Sequence, residues 1–461
     1  MLDKAGLPVA GVKISVFSLN NNTAVTTTTD AAGAYSVSGQ NTMTNADYAV
    51  FAEKAGYGFM PQVSDAAGAV SKHDFNGLYR TVIRFASMPA RDVVATNFIA
   101  LVAGDKVTTL ARTGQSASVA SGDDFAAQAG VAWPSVRFTD NGDGTVTDHL
   151  TGLVWLKNAG CYAPSSWSAA VTAANALANG ACGLSDGSVA GKWRMPNVNE
   201  LESLVDVSRS SPALSSAHHF TNVSLSAAYW SSTTYTALTT NAMAIRMSDG
   251  RWINGIDANG TTFDNNKLTS ANVLWAVKSG APGKVQLLST GVYSGQGGGS
   301  YASADDASLQ MGAALPGPRF VDKGDGTVAD TATGLIWLKQ ADCIKLSWPA
   351  ALASVGTLAS GRCGLTDGSS AGQWRMPNRN EMLSLSDRAP TFPQAAYFNG
   401  QYQGNSTVNG PAIFNNFIVA DYYWTSTTDA ADITQAWTLY SCDFGVYNIA
   451  KTDAKYTLAV R

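Results

Sequence analysis

The stretch RFTDNGDGTVTDHLTGLVWLK, Arg137 to Lys157, returns 182 residues later as RFVDKGDGTVADTATGLIWLK, Arg319 to Lys339. A match of this density makes the chain a tandem repeat before any other feature is weighed. Each copy sets an Asp-Gly turn between apolar runs, the pattern of a β-hairpin joining strands around Phe138 and Val146 in the first copy. The carboxylates of DNGDGTVTD (Asp140 to Asp148) and DKGDGTVAD (Asp322 to Asp330) also suit a hard cation. An EF-hand spacing fails, however, because Gly142 and Gly324 occupy its third position. The hairpin is preferred and no metal is assigned.

The likeness continues downstream. ACGLSDGSVAGKWRMPNVNELESL from Ala181 answers RCGLTDGSSAGQWRMPNRNEMLSL from Arg362. YWSSTT at Tyr229 answers YWTSTT at Tyr423, and WAVK ending at Lys278 parallels LAVR ending at Arg461. Two modules follow, 109–278 and 285–461. After each WRMPN the apolar residues take helical spacing, and Asn197 or Asn199 is placed to cap the helix. Arg194 with Glu200, and Arg375 with Glu381, read as internal ion pairs anchoring that helix rather than as catalytic groups. Residues 1–104 differ: GLPVAGVKISVFSLNNNTAVTTTTDAAGAYSVSG alternates apolar and polar residues with Gly, Asn and Asp at its turns, an antiparallel β-sandwich pattern. The expectation is one small all-β domain followed by two α+β modules, which agrees with a length of 461 residues.

Four of the five cysteines obey the repeat, Cys161 with Cys343 and Cys182 with Cys363. Bridges Cys161–Cys182 and Cys343–Cys363 would each close a loop of some twenty residues and contribute about 3 kcal/mol. Two buried free thiols per module are the alternative. The spacing lacks the short ligand pairs of a zinc site. Paired cysteines in a chain rich in Gly and Tyr point outside the cytoplasm. Cys442 has no counterpart in the first module.

Charged residues make up only 14% of the chain and the net charge is −4, with no Lys/Arg block. Binding driven by phosphate neutralisation needs clustered cations, so nucleic acid is excluded as a partner. No apolar run approaches the ~18 residues of a membrane span. The four histidines do not recur between modules, and no nucleophile–base set, phosphate loop or marked carboxylate pair appears. No cofactor and no enzymatic activity are expected.

The closing segment, YYWTSTTDAADITQAWTLYSCDFGVYNIAKTDAKYTLAVR, has a steady frame and an unusual filling. Trp424, Trp437, Leu439, Val460 and Arg461 occupy strand-core positions. Between them lie Tyr440, Asp443, Phe444, Tyr447, Asn448 and Lys451. Tyr, Phe and Asn are the side chains of recognition surfaces, giving contact area at low entropic cost. These six are the candidate ligand-binding residues. In the first module the corresponding loop holds Trp252, Asn254 and Asp257.

The order RFxDxGDGTVxDxxTGLxWL, Cys, Cys, WRMPNxNE, YWSST and a closing VR resembles the Lcl C-terminal domain family, named for the C-terminal domain of a bacterial collagen-like adhesin. The resemblance covers both modules. It implies a C-type-lectin-like fold, shared with formylglycine-generating enzymes, and a secreted or cell-surface module that binds polysaccharides. The enzymatic branch of that fold depends on a reactive cysteine pair near its C-terminal end, where this chain has only Cys442. Some members are variable proteins of diversity-generating retroelements. Every residue from Tyr440 to Ala450 belongs to the set that adenine-directed mutagenesis of Asn codons can produce. Residues 1–104 resemble carboxypeptidase regulatory-like or prealbumin-like spacer domains. The function these readings imply is recognition of an external protein or polysaccharide through the second module, with homo-oligomerisation open. A structural subunit of a surface layer or fibre is the alternative.

Overall fold

The computed structural model describes residues 1–18, 24–35, 48–61, 69–72, 81–85, 98–102, 105–236, 238–253, 255–256, 262–263, 265–292, 304–316, 319–386, 388, 413–442 and 444–461. Small sheets dominate and helices are few and short, an α+β architecture.

In the N-terminal domain a five-stranded sheet runs in the order 24–28, 13–18, 48–53, 81–85, 69–72, and a three-stranded sheet in the order 2–3, 98–101, 58–61. Ile14, Val16, Val50 and Ala52 of the first meet Phe59 and Ala100 of the second in one apolar cluster, so the two sheets form a sandwich. One pairing departs from the antiparallel expectation: Leu2–Asp3 runs parallel to Phe98–Leu101.

Each module opens with the anticipated hairpin. Strands Phe138–Asp140, Thr145–Asp148 and Leu153–Leu156 form a meander, as do Phe320–Asp322, Thr327–Asp330 and Ile336–Leu338. The turn carboxylates are used locally. Asp140 accepts from the Gly142 N–H at 3.0 Å and from Lys157 Nζ at 2.5 Å, and Asp322 does the same with Gly324 and Lys339. Gly144 and Gly326 must be glycine, because a Cβ at either would stand 2.3 Å from the carbonyl oxygen of Gly183 or Gly364. Those carbonyls belong to the residues immediately after Cys182 and Cys363, which the bridges Cys161–Cys182 and Cys343–Cys363 tie back. The hairpin tips therefore press directly on the clipped loops.

Among the described residues there are six helices: α1 (Asp124–Ala127), α2 (Trp167–Ala176), α3 (Val198–Ser203), α4 (Asp306–Leu309), α5 (Trp348–Gly356) and α6 (Arg379–Ser384). α2 buries Trp167, Ala170, Val171 and Ala174, and α5 buries Trp348, Ala351, Leu352 and Val355, one face at 3.6-residue period in each. α3 and α6 start in complete capping boxes, Asn197 with Glu200 and Asn378 with Glu381. Arg194 and Arg375 grip those glutamates with two hydrogen bonds each, at 2.5 and 2.6 Å. The expected Arg–Glu pairs are thus formed at the helix starts, and Asn197 rather than Asn199 is the cap.

The modules are not separate bodies. A single apolar cluster runs from Trp155, Trp193 and Trp275 through Val205 and Leu383 to Trp337, Tyr423 and Val460. The leading segments of the modules are also exchanged. Residues 107–131 stand at the head of the first module as bounded from sequence, 109–278, but dock on the second: Val107 and Thr108 donate to Ala332 O, Asn380 to Ala111 O, Asn378 to Ala129 O, and Thr427 to Asp124. Residues 285–292 and 304–313, at the head of the second module as bounded from sequence, dock on the first by equivalent bonds: Val285 to Leu150 O, Asn199 to Leu288 O, Asn197 to Met311 O, and Thr233 to Asp306. The chain thus folds as an internal pseudo-symmetric pair.

Candidate ligand-binding face

The closing residues of the second module form a sheet in the order 345–346, 455–456, 422–428, 435–440, 446–450. Tyr422 faces Tyr440, Trp424 faces Thr438, and Thr438 faces Tyr447. Opposed residues share a face, so Tyr422, Trp424, Thr438, Tyr440 and Tyr447 lie on one side. Trp424 is buried there with Trp348 and Leu352 of α5. Beyond the reach of α5, Tyr422, Tyr440 and Tyr447 remain partly exposed. The opposite side carries Tyr423, Leu439 and Val446 into the core.

The three tyrosine rings touch pairwise. The Tyr422 and Tyr440 centroids are 4.8 Å apart with a 35° tilt. Tyr447 stands edge-on to both, at 5.8 and 6.1 Å with interplanar angles of 84° and 87°. Such contacts match the preferred quadrupole geometry and hold the rings in place. A cation would need to lie within about 6 Å of several centroids with room between the rings, and rings already in contact leave no such gap. The arrangement is a continuous aromatic platform rather than a cage. Lys455 Nζ stands 5.3 Å over Tyr422, and Lys345 pairs with Asp421 at 3.0 Å on the flanking strands.

Five of the six residues proposed from sequence are described, and of those Tyr440 and Tyr447 lie on this platform. Phe444 corrects the expectation. It adopts a left-handed backbone (φ 56°) that turns its ring inward, where it is fully buried and stacked on Phe417 with centroids 6.1 Å apart. Asn448 lies opposite Trp437 on the other side of the sheet, bonded to Asp429 and to Arg251 of the first module. It belongs to the seam between modules. Lys451 sits at the far end of its strand, 4.0 Å over the Trp348 ring and 2.9 Å from Thr428 Oγ1; burial holds its pKa below the usual lysine value. Asp443 lies outside the described residues, as do Asn254 and Asp257 of the first module. Trp252 is buried and bonded to Glu202.

Lys451 has a counterpart in the first module. Lys267 lies 4.5 Å over the Trp167 ring of α2 and 2.8 Å from Thr234 Oγ1, with its pKa lowered by burial to about 8. The lysine thus stands on the corresponding tryptophan and threonine in both modules. Tyr422, by contrast, was missed. It was legible as a departure from the repeat, because Tyr423 matches Tyr229 and the preceding residue changes from Ala228 to Tyr422.

Register carries the comparison further. Leu439 corresponds to Ile245, so Tyr440 corresponds to Arg246; Thr438 corresponds to Ala244, so Tyr447 corresponds to Ile253. The first module therefore presents Ala228, Arg246 and Ile253 where the second presents three tyrosines, and Arg246 is tied to Asp249.

Among protein families, the model described as the Lcl C-terminal domain matches residues 144–278 and again 326–461. No curated protein and no solved structure matches the chain. Among the described residues no helix is long and apolar enough to cross a membrane, and no group of His, Cys, Asp or Glu is assembled to hold a metal ion.

Proposed function

Because the chain belongs to the Lcl C-terminal domain family, we propose that it is an extracytoplasmic adhesion protein that binds an external protein or polysaccharide through the Tyr422–Tyr440–Tyr447 platform of its second module. The observation that carries this reading is the confinement of the platform to one of two modules built on the same frame. Three adjoining aromatic residues left partly in water have no folding role that the first module needs. Rigid tyrosines are also the residues that anchor binding surfaces. The two disulfides suit an oxidising compartment. In this reading the modules adopt a C-type-lectin-like fold, the N-terminal sandwich is a carboxypeptidase regulatory-like spacer, and the protein binds without turnover. Retroelement diversification would act on the strand ends around Tyr440 and Tyr447.

The triple substitution Tyr422→Ala, Tyr440→Ala, Tyr447→Ala tests the proposal against an array of surface polysaccharides and immobilised matrix proteins. Each ring should be worth at least ~1 kcal/mol, so retained affinity should fall more than about a hundredfold, with the thermal midpoint little changed. Binding that survives the triple substitution would place the site elsewhere.

A further inference from the structure

The two exchanged segments are fastened by the same buried device. In the first joint, α4 presents Asp306 to the first module: its Oδ2 accepts across the joint from Thr233 at 2.7 Å and from Thr290 of its own docked segment at 2.6 Å. The residue is 1% exposed, and its second oxygen, Oδ1, is buried with no hydrogen-bond partner. In the second joint, α1 presents Asp124 to the other module: Oδ2 accepts across the joint from Thr427 at 2.7 Å and from Thr113 of its own segment at 2.6 Å.

The charges around each carboxyl are also duplicated. Asp306 faces Glu200 of α3, which Arg194 already holds, and the adjacent helix cap Asp305; the joint's cation, Lys267, interacts with Asp305. Asp124 faces Glu381 of α6, held by Arg375, and the cap Asp123, with which Lys451 interacts. No cation is bonded to either central carboxyl among the described contacts. A carboxylate placed in this way loses its water, keeps one oxygen unsatisfied at Asp306, and gains acidic neighbours. A neutral carboxylic acid loses little and retains both threonine bonds.

We propose that Asp124 and Asp306 are proton-operated latches, which hold the exchanged segments shut when neutral and loosen them when charged. Burial, the first cause in each case, raises Asp124 to about 6 and Asp306 to about 7 from an ordinary 3.8. The closed state therefore binds the proton more tightly than the open state. Closure is favoured most below the ordinary carboxyl value, and the advantage is lost as pH rises through 6 to 7. The same symmetry makes the two ends respond together, the Asp306 joint over the higher pH range.

Hydrogen exchange of the full-length chain at pH 5 and pH 7.5, corrected for intrinsic rates, reads the two docked segments directly. Protection of residues 107–131 should fall about tenfold over that interval, and that of 285–292 and 304–313 by a larger factor, while the strands at 145–156 and 327–338 stay unchanged. The isosteric substitutions Asp124→Asn and Asp306→Asn should remove the pH dependence of the segment each one fastens. Protection in the parent chain that is flat across this interval overturns the proposal whatever the variants do. A pH dependence that persists in folded Asn variants overturns it equally.

Discussion

The second module carries three tyrosines where the first carries an alanine, an ion-paired arginine and an isoleucine, yet almost everything beneath these positions is common to both. The common parts include the hairpin tip on the clipped loop, the capping box gripped by an arginine, the lysine on a tryptophan, and the aspartate between two threonines. A feature repeated in both modules is explained by folding. One present in a single module needs another reason, and this distinction separates Lys451 from Tyr440 more cleanly than residue type does.

The seam between the modules breaks the symmetry in a second way. Arg379 is fully buried, bonded to Glu202 and to Gly250 O, and lies 4.7 Å over the Trp437 ring. The repeat relates Arg379 to Val198 and Glu202 to Leu383, both apolar and buried. The pair therefore keys one module to the other, since two first modules or two second modules would each bury an unpaired charge.

The largest effect should come from breaking this key. Arg379→Ala strands Glu202 at the seam and should cost about 3–5 kcal/mol in urea unfolding. The double change Arg379→Val with Glu202→Leu, which copies the apolar pair, should recover most of it. A double variant as unstable as the single one would show that Arg379 acts through its other contacts. Phe444→Ala comes next, at about 3 kcal/mol, because it empties a packed site against Phe417. Ligand binding should weaken only as far as the sheet loosens, so a variant of parental stability that no longer binds would return Phe444 to the binding surface. The smallest effect sharpens the comparison itself. Lys451→Ala and Lys267→Ala should each cost about 1 kcal/mol, through the lost ring contact and threonine bond. Equal losses with intact binding mark both as framework; a binding defect confined to Lys451→Ala would make it a ligand contact.

Much of the frame was legible because its signals are local. An Asp-Gly turn, an Asn three residues before a Glu, and two cysteines some twenty residues apart act within one stretch of chain. The platform was half legible. Tyr440 and Tyr447 stood out by type, Tyr422 only by departing from the repeat. Phe444 and Asn448 were misread because a side chain near a strand end has no fixed direction until its backbone dihedral and its neighbours are known.

The sequence alone determined that there are two copies of one module, which cysteines recur in both, and which copy bears the unusual aromatic residues, since repetition needs no knowledge of distant contacts. Only the tertiary structure decided which module each leading segment closes, which aromatic residues face water, and that the modules share one core. Those outcomes depend on contacts between residues up to three hundred positions apart, such as Asp124 with Thr427, whose pairing is set by packing rather than by proximity along the chain.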